Sequence, residues 1–466
     1  MKIYLLALGC KLNQSEIDAL ARRFLAAGHE IVLDAEEAEV CILNTCTVTH
    51  IASRKSRQAL RRLRRANRSA FLVATGCYAE ISPQEIKALG GVDMIAGNDD
   101  KERIPALLAS RIPHLASAAP MGPANSAQKA GPLSSATPRT RAFVKIQDGC
   151  DNACTYCIVA KARGAAVSRP YPEVLGEIRE RLSEGYKEVV LTGVHIGAYG
   201  RERGESLAGL VQKILAETAV PRLRLSSIEP WDFSHDLLAF WRDSRLCRHL
   251  HLPLQSGCDA TLQRMGRRYT AQQYAEIVRQ ARAIVADIAI TTDVIVGFPG
   301  ESEGEFAASL EFVKQQGFAR LHVFPYSLRQ GTPAAMMPHQ MRPEEKEARS
   351  KIMQQAGREG TRRSQEQYLG RIFAVLWENQ VEAQGPSGLP VWRGLTDNYI
   401  PVFVESSRIL ANVIAPARLV ALRPAGVWAE VQEAASFAAD GQIMVYYQAM
   451  VHCEGERDHH SEQEEM

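Results

Sequence analysis

No stretch of the 466-residue chain reaches the roughly 18–20 consecutive apolar residues needed to span a bilayer, so a membrane-spanning helix is not expected. The start offers little for export. Its apolar run, residues 3–9, is at the bottom of the range for a signal core, and with Cys10 behind it reads better as a first strand than as a lipoprotein leader. Ten cysteines in a large chain without an export signal argue against disulfides and for reduced thiols and metal ligation, which places the protein in the cytoplasm. Two further absences are local. Residues 53–68, SRKSRQALRRLRRANR, hold eight basic residues and no acidic one. Residues 113–138 hold no Phe, Tyr or Trp and no acid, and are rich in Ala, Pro, Ser and Gly, as expected of a linker between domains. Hydrophobic content of 46% and charged content of 23% are those of an ordinary globular protein. The length is too great for one domain, and about two to four are expected. A net charge of +2 says little, because the basic residues are unevenly spread.

Up to about residue 110, apolar runs alternate with amphipathic stretches, the pattern of an open parallel α/β sheet. Strands are expected at 3–8, 30–33, 40–44, 71–74 and 92–96, with a helix over 15–27 stopped by Gly28. Cys10, Cys46 and Cys77 then each fall just past the carboxyl end of a strand. In an open α/β sheet those ends face one crevice, so three thiols far apart in sequence would converge; independent buried cysteines are the alternative. Cys41, inside its strand, reads as core. The basic run carries Leu60 and Leu63 at helical spacing. Without acids to pair four residues away it repels itself and favours a polyanion over a merely solvated face. RNA phosphate is the expected contact, with Arg61, Arg62, Arg64 and Arg65 as candidates.

From Arg141 the alternation resumes over residues 141–364, with strands at 142–146, 188–191, 222–226, 249–252, 291–296 and 320–324 and a helix over 173–184. Repeated β–α units predict a barrel or partial barrel with its site at the strands' carboxyl ends. At the end of the first strand stands Cys150-Asp-Asn-Ala-Cys154-Thr-Tyr-Cys157, three thiols within eight residues. Three thiolates so spaced can hold three corners of a 4Fe–4S cluster and leave one iron open. A zinc knuckle or unrelated buried thiols would satisfy the spacing alone.

Cys150–Cys157 resembles the radical S-adenosylmethionine (SAM) signature, and the resemblance widens along the chain. CKLNQSE, NTCTVT, TGCYAE, KIQDGCDNACTYCI, LTGVHIGAYG, HLHLPLQSGCDATLQRMGRRYT and DVIVGFPGE are together similar to the methylthiotransferases, radical SAM enzymes with two iron–sulfur clusters; the similarity covers about residues 1–430. It implies that Cys150, Cys154 and Cys157 hold a SAM-binding 4Fe–4S cluster and that Cys10, Cys46 and Cys77 hold an auxiliary one. It further implies SAM contacts from Thr192 and Gly193 to the methionyl amino group, from Ser226, Ser227 and Glu229 to the ribose and carboxylate, and from Ile295 and Gly297 to the adenine. Ala160-Lys161 and Cys258 depart from common family residues (Pro-Tyr and Ser) without replacing a ligand, and Cys247, Cys258 and Cys453 are taken as ordinary thiols. Beyond Gln365 short strands at 372–378, 391–395, 400–405, 418–422 and 427–431 suggest a small antiparallel barrel, similar to the RNA-binding TRAM domain of this family. The tail from residue 433 reads as partly disordered, with residues 454–466 its acidic and polar, disordered end.

The domain expectation is 1–110, a linker over 111–140, 141–364, 365–432 and a tail over 433–466. The resemblance implies radical insertion of a methylthio group, drawing on an electron donor and a sulfur source. LTGVHIGAYG and LSSIEPWDF resemble the branch acting on threonylcarbamoyladenosine in the tRNA anticodon loop. The other branches modify isopentenyladenosine in tRNA or an aspartate of a ribosomal protein. A reading from another class is a non-catalytic iron–sulfur electron carrier or RNA-binding protein, against which open-iron sites argue, since a carrier ordinarily closes its coordination with four cysteines.

Overall fold

The computed structural model describes residues 1–112 and 140–432; most of the expected linker, the tail and Cys453 lie outside them. The first domain is a five-stranded sheet in the order β2-β1-β3-β4-β5, with every pair parallel. Its strands are β1 (Lys2–Ala7), β2 (Glu30–Val32), β3 (Val40–Thr45), β4 (Phe71–Gly76) and β5 (Met94–Ile95). β3 is buried along its whole length, as a central parallel strand covered on both faces requires. Helix Lys11–Ala26 buries Leu12, Ile17, Leu20 and Phe24 on one face. It begins four residues earlier than the expectation at residue 15. Gly9 (φ +93°) turns the chain straight into the helix, and the Cys10 carbonyl accepts from Gln14 N at 3.2 Å.

Six parallel strands follow. β6 (Arg141–Lys145), β9 (Glu188–Thr192) and β10 (Arg222–Leu225) form one sheet, and β11 (His249–His251), β12 (Ala289–Val296) and β13 (Arg320–Pro325) a second. A parallel bridge, Ser227 to His251, joins them. Their order in space is their order in sequence, which is a partial (β/α) barrel left open between its first and last strands. Its wall is packed by Val144, Val189, Leu191, Leu223, Leu225, Leu250, Ile290 and Val294, all buried. A hairpin absent from the sequence expectation, β7 (Gln147–Asp148) with β8 (Val167–Ser168), brackets the cysteine loop.

The carboxyl-terminal unit is a closed barrel in the order β14-β15-β16-β18-β17, made of β14 (Ile372–Glu382), β15 (Val391–Thr396), β16 (Pro401–Glu405), β17 (Ile414–Arg423) and β18 (Gly426–Val431). It corrects the expectation of an all-antiparallel barrel, because β16 and β18 pair in parallel, Val402 opposite Val427. Five strands in a ring cannot alternate direction at every neighbour, so one parallel pair is unavoidable. The β15–β16 turn enters the amino-terminal end of the partial barrel. There Arg222 donates to the carbonyls of Leu395 and Thr396 at 3.0 and 2.8 Å, and the Tyr399 ring stacks on His249 at 4.6 Å.

Candidate active site

Three neighbouring strands of the first sheet deliver three thiols. Cys10 follows β1, Cys46 follows β3 and Cys77 follows β4. Backbone geometry sets how closely they approach. Gly9 lies so near Cys46 that a Cβ added to it would come within 2.6 Å of the sulfur. Gly76 (φ +91°) turns the end of β4 into helix Cys77–Ile81, and a Cβ there would overlap the Asn44 side chain and the Thr45 backbone. Both positions therefore require glycine. Cys46 is clamped by Ser56 of the basic helix, whose hydroxyl accepts from Cys46 N at 3.1 Å and donates to Cys46 O at 2.9 Å. Cys46 and Cys77 are buried and Cys10 is exposed. Burial pushes the Cys46 thiol up to about 12. The protein thus favours the thiol there until a metal displaces its proton.

The second set, Cys150, Cys154 and Cys157, is partly exposed and ringed by donors. Asn152 N donates to Cys150 Sγ at 3.5 Å and Val159 N to Cys157 Sγ at 3.4 Å. Arg267 Nη1 lies 3.5 Å from Cys154 Sγ, and Nη2 pairs with Glu229. His195 Nδ1 lies 4.0 Å from Cys150 Sγ, while its Nε2 meets the buried Asp232 carboxylate. Burial alone would lower the His195 pKa. The Asp232 carboxylate and the Cys150 contact hold it up to about 9, favouring the protonated ring. Tyr156 packs edge-on against Phe298 with centroids 6.4 Å apart. Both sets present sulfur to N–H groups and cations, the surroundings an anionic iron–sulfur cluster takes. Among the described residues the other cysteines lie elsewhere. Cys41 is at the opposite end of β3 from Cys46, Cys247 is 3.9 Å from Glu188 at the amino-terminal end of the barrel, and Cys258 precedes helix Asp259–Arg264.

A cavity of about 2880 Å³ runs from Cys10 through the barrel interior to the carboxyl-terminal barrel. Thr192, Gly193, Ser226 and Ser227 line it, and Ser226 Oγ is buried without a hydrogen-bond partner. The other expected SAM contacts, Glu229, Ile295 and Gly297, are not among the residues that line it. Glu229 is turned to Arg267, Ile295 packs in the cluster of Tyr156 and Phe298, and Gly297 N donates to Glu301 at 2.7 Å.

Residues 2–97 match the family described as uncharacterized protein family UPF0004, and residues 144–313 match the radical SAM superfamily. The threonylcarbamoyladenosine tRNA methylthiotransferase MtaB of Bacillus subtilis (strain 168) is 36% identical over 421 residues, 89% of this chain and 92% of that one. The chain belongs to the radical SAM methylthiotransferases. The tRNA-2-methylthio-N(6)-dimethylallyladenosine synthase of Geobacillus kaustophilus is 32% identical over 428 residues, 89% of this chain and 79% of that one. Among solved structures, the radical SAM methyltransferase TsrM from Kitasatospora setae, with cobalamin and a 4Fe–4S cluster bound, shares the fold. The TM-score is 0.53 over 72% of this chain and 77% of that one, at 16% identity. As a radical SAM methylthiotransferase, the protein works with two 4Fe–4S clusters and SAM.

In this methylthiotransferase the basic helix, His50–Ala66, divides its arginines between two uses. Arg61, Arg62 and Arg65 are exposed. Arg64 differs from them. Its guanidinium donates to the carbonyls of Gly91, Arg68 and Ala70 at 2.6, 2.8 and 2.9 Å and pairs with Asp93, so it holds the end of the helix to the sheet. Sequence reasoning missed several groups. His195 lies inside LTGVHIGAYG but carried no spacing signal toward Cys150. Gln147 accepts from His195 N at 2.7 Å and donates to the Gly149 carbonyl at 2.8 Å, joining that motif to the cysteine loop. His251, Asp293 and His322 form a lumen trio in which Asp293 accepts from both rings at 3.2 Å. Gly-Cys recurs at 9–10, 76–77, 149–150 and 257–258, so the dipeptide marks three of the six thiols but also the ordinary Cys258.

Proposed function

We propose that this methylthiotransferase modifies carbon two of the adenine in N6-threonylcarbamoyladenosine, beside the anticodon of tRNA, in the cytoplasm. The observation that carries this reading is the pair of three-thiol sets at strand ends, each with a cation against one of its sulfurs, together with a cavity lined by Cys10 of one set and by Thr192, Gly193 and Ser226 of the barrel. In the proposed assignment Cys150, Cys154 and Cys157 hold the SAM-binding cluster and Cys10, Cys46 and Cys77 the auxiliary one. Held there, the first cluster would supply one-electron reductive chemistry on SAM and the second a site for sulfur, which suits an unreactive C–H bond that no side-chain base can deprotonate.

The chain's own groups have definable parts in this. The orphaned Ser226 hydroxyl is a ready donor or acceptor for a ribose or carboxylate, and the adjacent Thr192-Gly193 strand end offers backbone groups. His195 and Arg267 hold positive charge against Cys150 and Cys154. Exposed Arg61, Arg62 and Arg65 suit phosphate, and an anticodon-loop base can be splayed into a pocket at low unstacking cost. Support for the threonylcarbamoyl branch comes from relatives bearing that activity in their names at 32–37% identity and from LTGVHIGAYG, the segment that reaches Cys150. An external electron donor and sulfur source belong to the same proposal. Nucleoside mass spectrometry of tRNA from cells with and without the gene tests it. The expected result is loss of the methylthiolated threonylcarbamoyl nucleoside with accumulation of its precursor. Loss of the methylthio-isopentenyl nucleoside instead would reassign the branch, and unchanged tRNA would move the target to protein.

A further inference from the structure

Arg163 lies six residues beyond Cys157, yet its side chain belongs to the other thiol set. Its Nε donates to Cys77 Sγ at 3.3 Å. Nη1 donates to Glu16 at 2.8 Å and to Asp148 at 2.9 Å, and Nη2 to Asn13 Oδ1 at 2.8 Å. Asn13 in turn accepts from Cys10 Sγ at 3.7 Å and donates to the carbonyls of Leu8 and Thr45, which flank Cys10 and Cys46. The guanidinium is 2% exposed, and a buried cation is tolerated only with its donors used. Lys101 pairs with Glu16, and Lys145 lies 3.7 Å from Glu16 and 3.3 Å from Asp148. Three cations, Arg163, Lys101 and Lys145, therefore face two carboxylates, Glu16 and Asp148. The one Arg163 donor that neither these carboxylates nor Asn13 take, Nε, points at sulfur.

We propose that Arg163 is a positioning residue for the auxiliary cluster. It fixes Cys77 and Asn13 and sets a buried positive charge against the cluster, making its reduction easier than the N-terminal domain alone would. The short helix Val159–Arg163 then serves both sites, because its first N–H meets Cys157 and its last side chain meets Cys77. This rests on the assignment of Cys10, Cys46 and Cys77 to that cluster. A nearby cation and an N–H···S hydrogen bond both stabilise the more negative, reduced cluster, which fixes the sign of the effect.

The test uses the full chain with Cys150, Cys154 and Cys157 replaced by Ala, reconstituted anaerobically with iron and sulfide, so that cluster forms on the remaining triad. A redox titration against dithionite, followed by electron paramagnetic resonance, reads the one-electron midpoint. Arg163→Met should move the midpoint to more negative potential, and Arg163→Lys, which keeps the charge, should fall between Met and the parent. Asp148→Asn, which leaves Arg163 in place and removes a negative charge, should move it the opposite way. Failure of the Met variant to hold a cluster that the Lys variant retains would support the same charge requirement. An unchanged midpoint in Met at equal iron content, or a negative shift in Asp148→Asn, would overturn the proposal. Absence of any cluster in the parent would overturn the ligand assignment and the proposal with it.

Discussion

Cys154 and Cys46 stand in the two thiol sets, and their loss should separate two activities. Cys154→Ala is expected to abolish cleavage of SAM in reconstituted protein under strong reductant, measured as 5′-deoxyadenosine release; retained cleavage would remove Cys154 from the open cluster. Cys46→Ala should leave that cleavage intact and eliminate methylthiolated tRNA. Normal product from this variant would refute an auxiliary role for its triad. At the same scale Gly76 is a backbone requirement. An alanine there must adopt φ +91° and overlap Asn44 and Thr45, so Gly76→Ala should cost roughly 2–5 kcal/mol, combining left-handed strain with overpacking. Iron bound per chain should fall with it, because the same turn aims Cys77. A thermal melt within a degree of the parent would show that the turn relaxes without cost.

The basic helix has a buried stripe, Ala52, Ser56, Ala59, Leu60 and Leu63, that seats it on the sheet and leaves Arg61, Arg62 and Arg65 in solvent. Replacing these three with Gln should weaken tRNA binding at low salt. It should also reduce the slope of log affinity against log salt by about 2–3, near 0.7–0.9 for each phosphate no longer neutralised. An unchanged slope would make the run a solvated face. Arg64→Gln should behave in the opposite manner. With its four protein partners gone, stability should fall by about 1–3 kcal/mol, read as a lower melting temperature, while the salt slope stays near that of the parent. The pair of results distinguishes phosphate binding from structural clamping within one helix, a distinction invisible in a run of like charges.

Across the whole molecule, one carboxylate helps join the SAM barrel to the carboxyl-terminal barrel. Glu188 is fully buried, 2.7 Å from Arg224 Nε and 2.9 Å from Arg222 Nη2, and both arginines reach on to carbonyls of residues 395–397. Burial by itself would raise the Glu188 pKa, but the Arg224 and Arg222 guanidiniums beside it hold it down to about 2. A pKa lowered in the folded state contributes stability that is complete above the unfolded carboxylate value. That contribution is lost as pH falls through the folded one, here the window from roughly 4.5 to 2. Glu188→Gln should therefore destabilise the protein by about 3–5 kcal/mol near neutrality, since it leaves buried guanidiniums underpaired. The deficit should narrow below pH 4. A variant whose deficit stays constant from pH 7 to pH 3 would exclude the ion pair as its cause.

The sequence by itself determined what depends on near neighbours. Alternation of apolar runs with helical stretches marked the parallel sheet and the barrel strands, spacing within eight residues marked the 150–157 loop, and strand ends marked the thiols at 10, 46 and 77. The first helix starts earlier than expected because the turn at Gly9 leads straight into it, and the parallel closing pair of the last barrel follows from an odd strand count around a ring rather than from any single strand. Only the tertiary structure decided which distant groups meet: Arg163 with Cys77, His195 with Cys150, Arg267 with Cys154 and Glu229, and Tyr399 with the floor of the SAM barrel. Hydrophobic period records which face of an element is buried, but not which element covers it. A long polar side chain can therefore serve a site in another domain and leave no periodic trace, because its partner is set by packing across the chain and its position along the chain carries no mark of it.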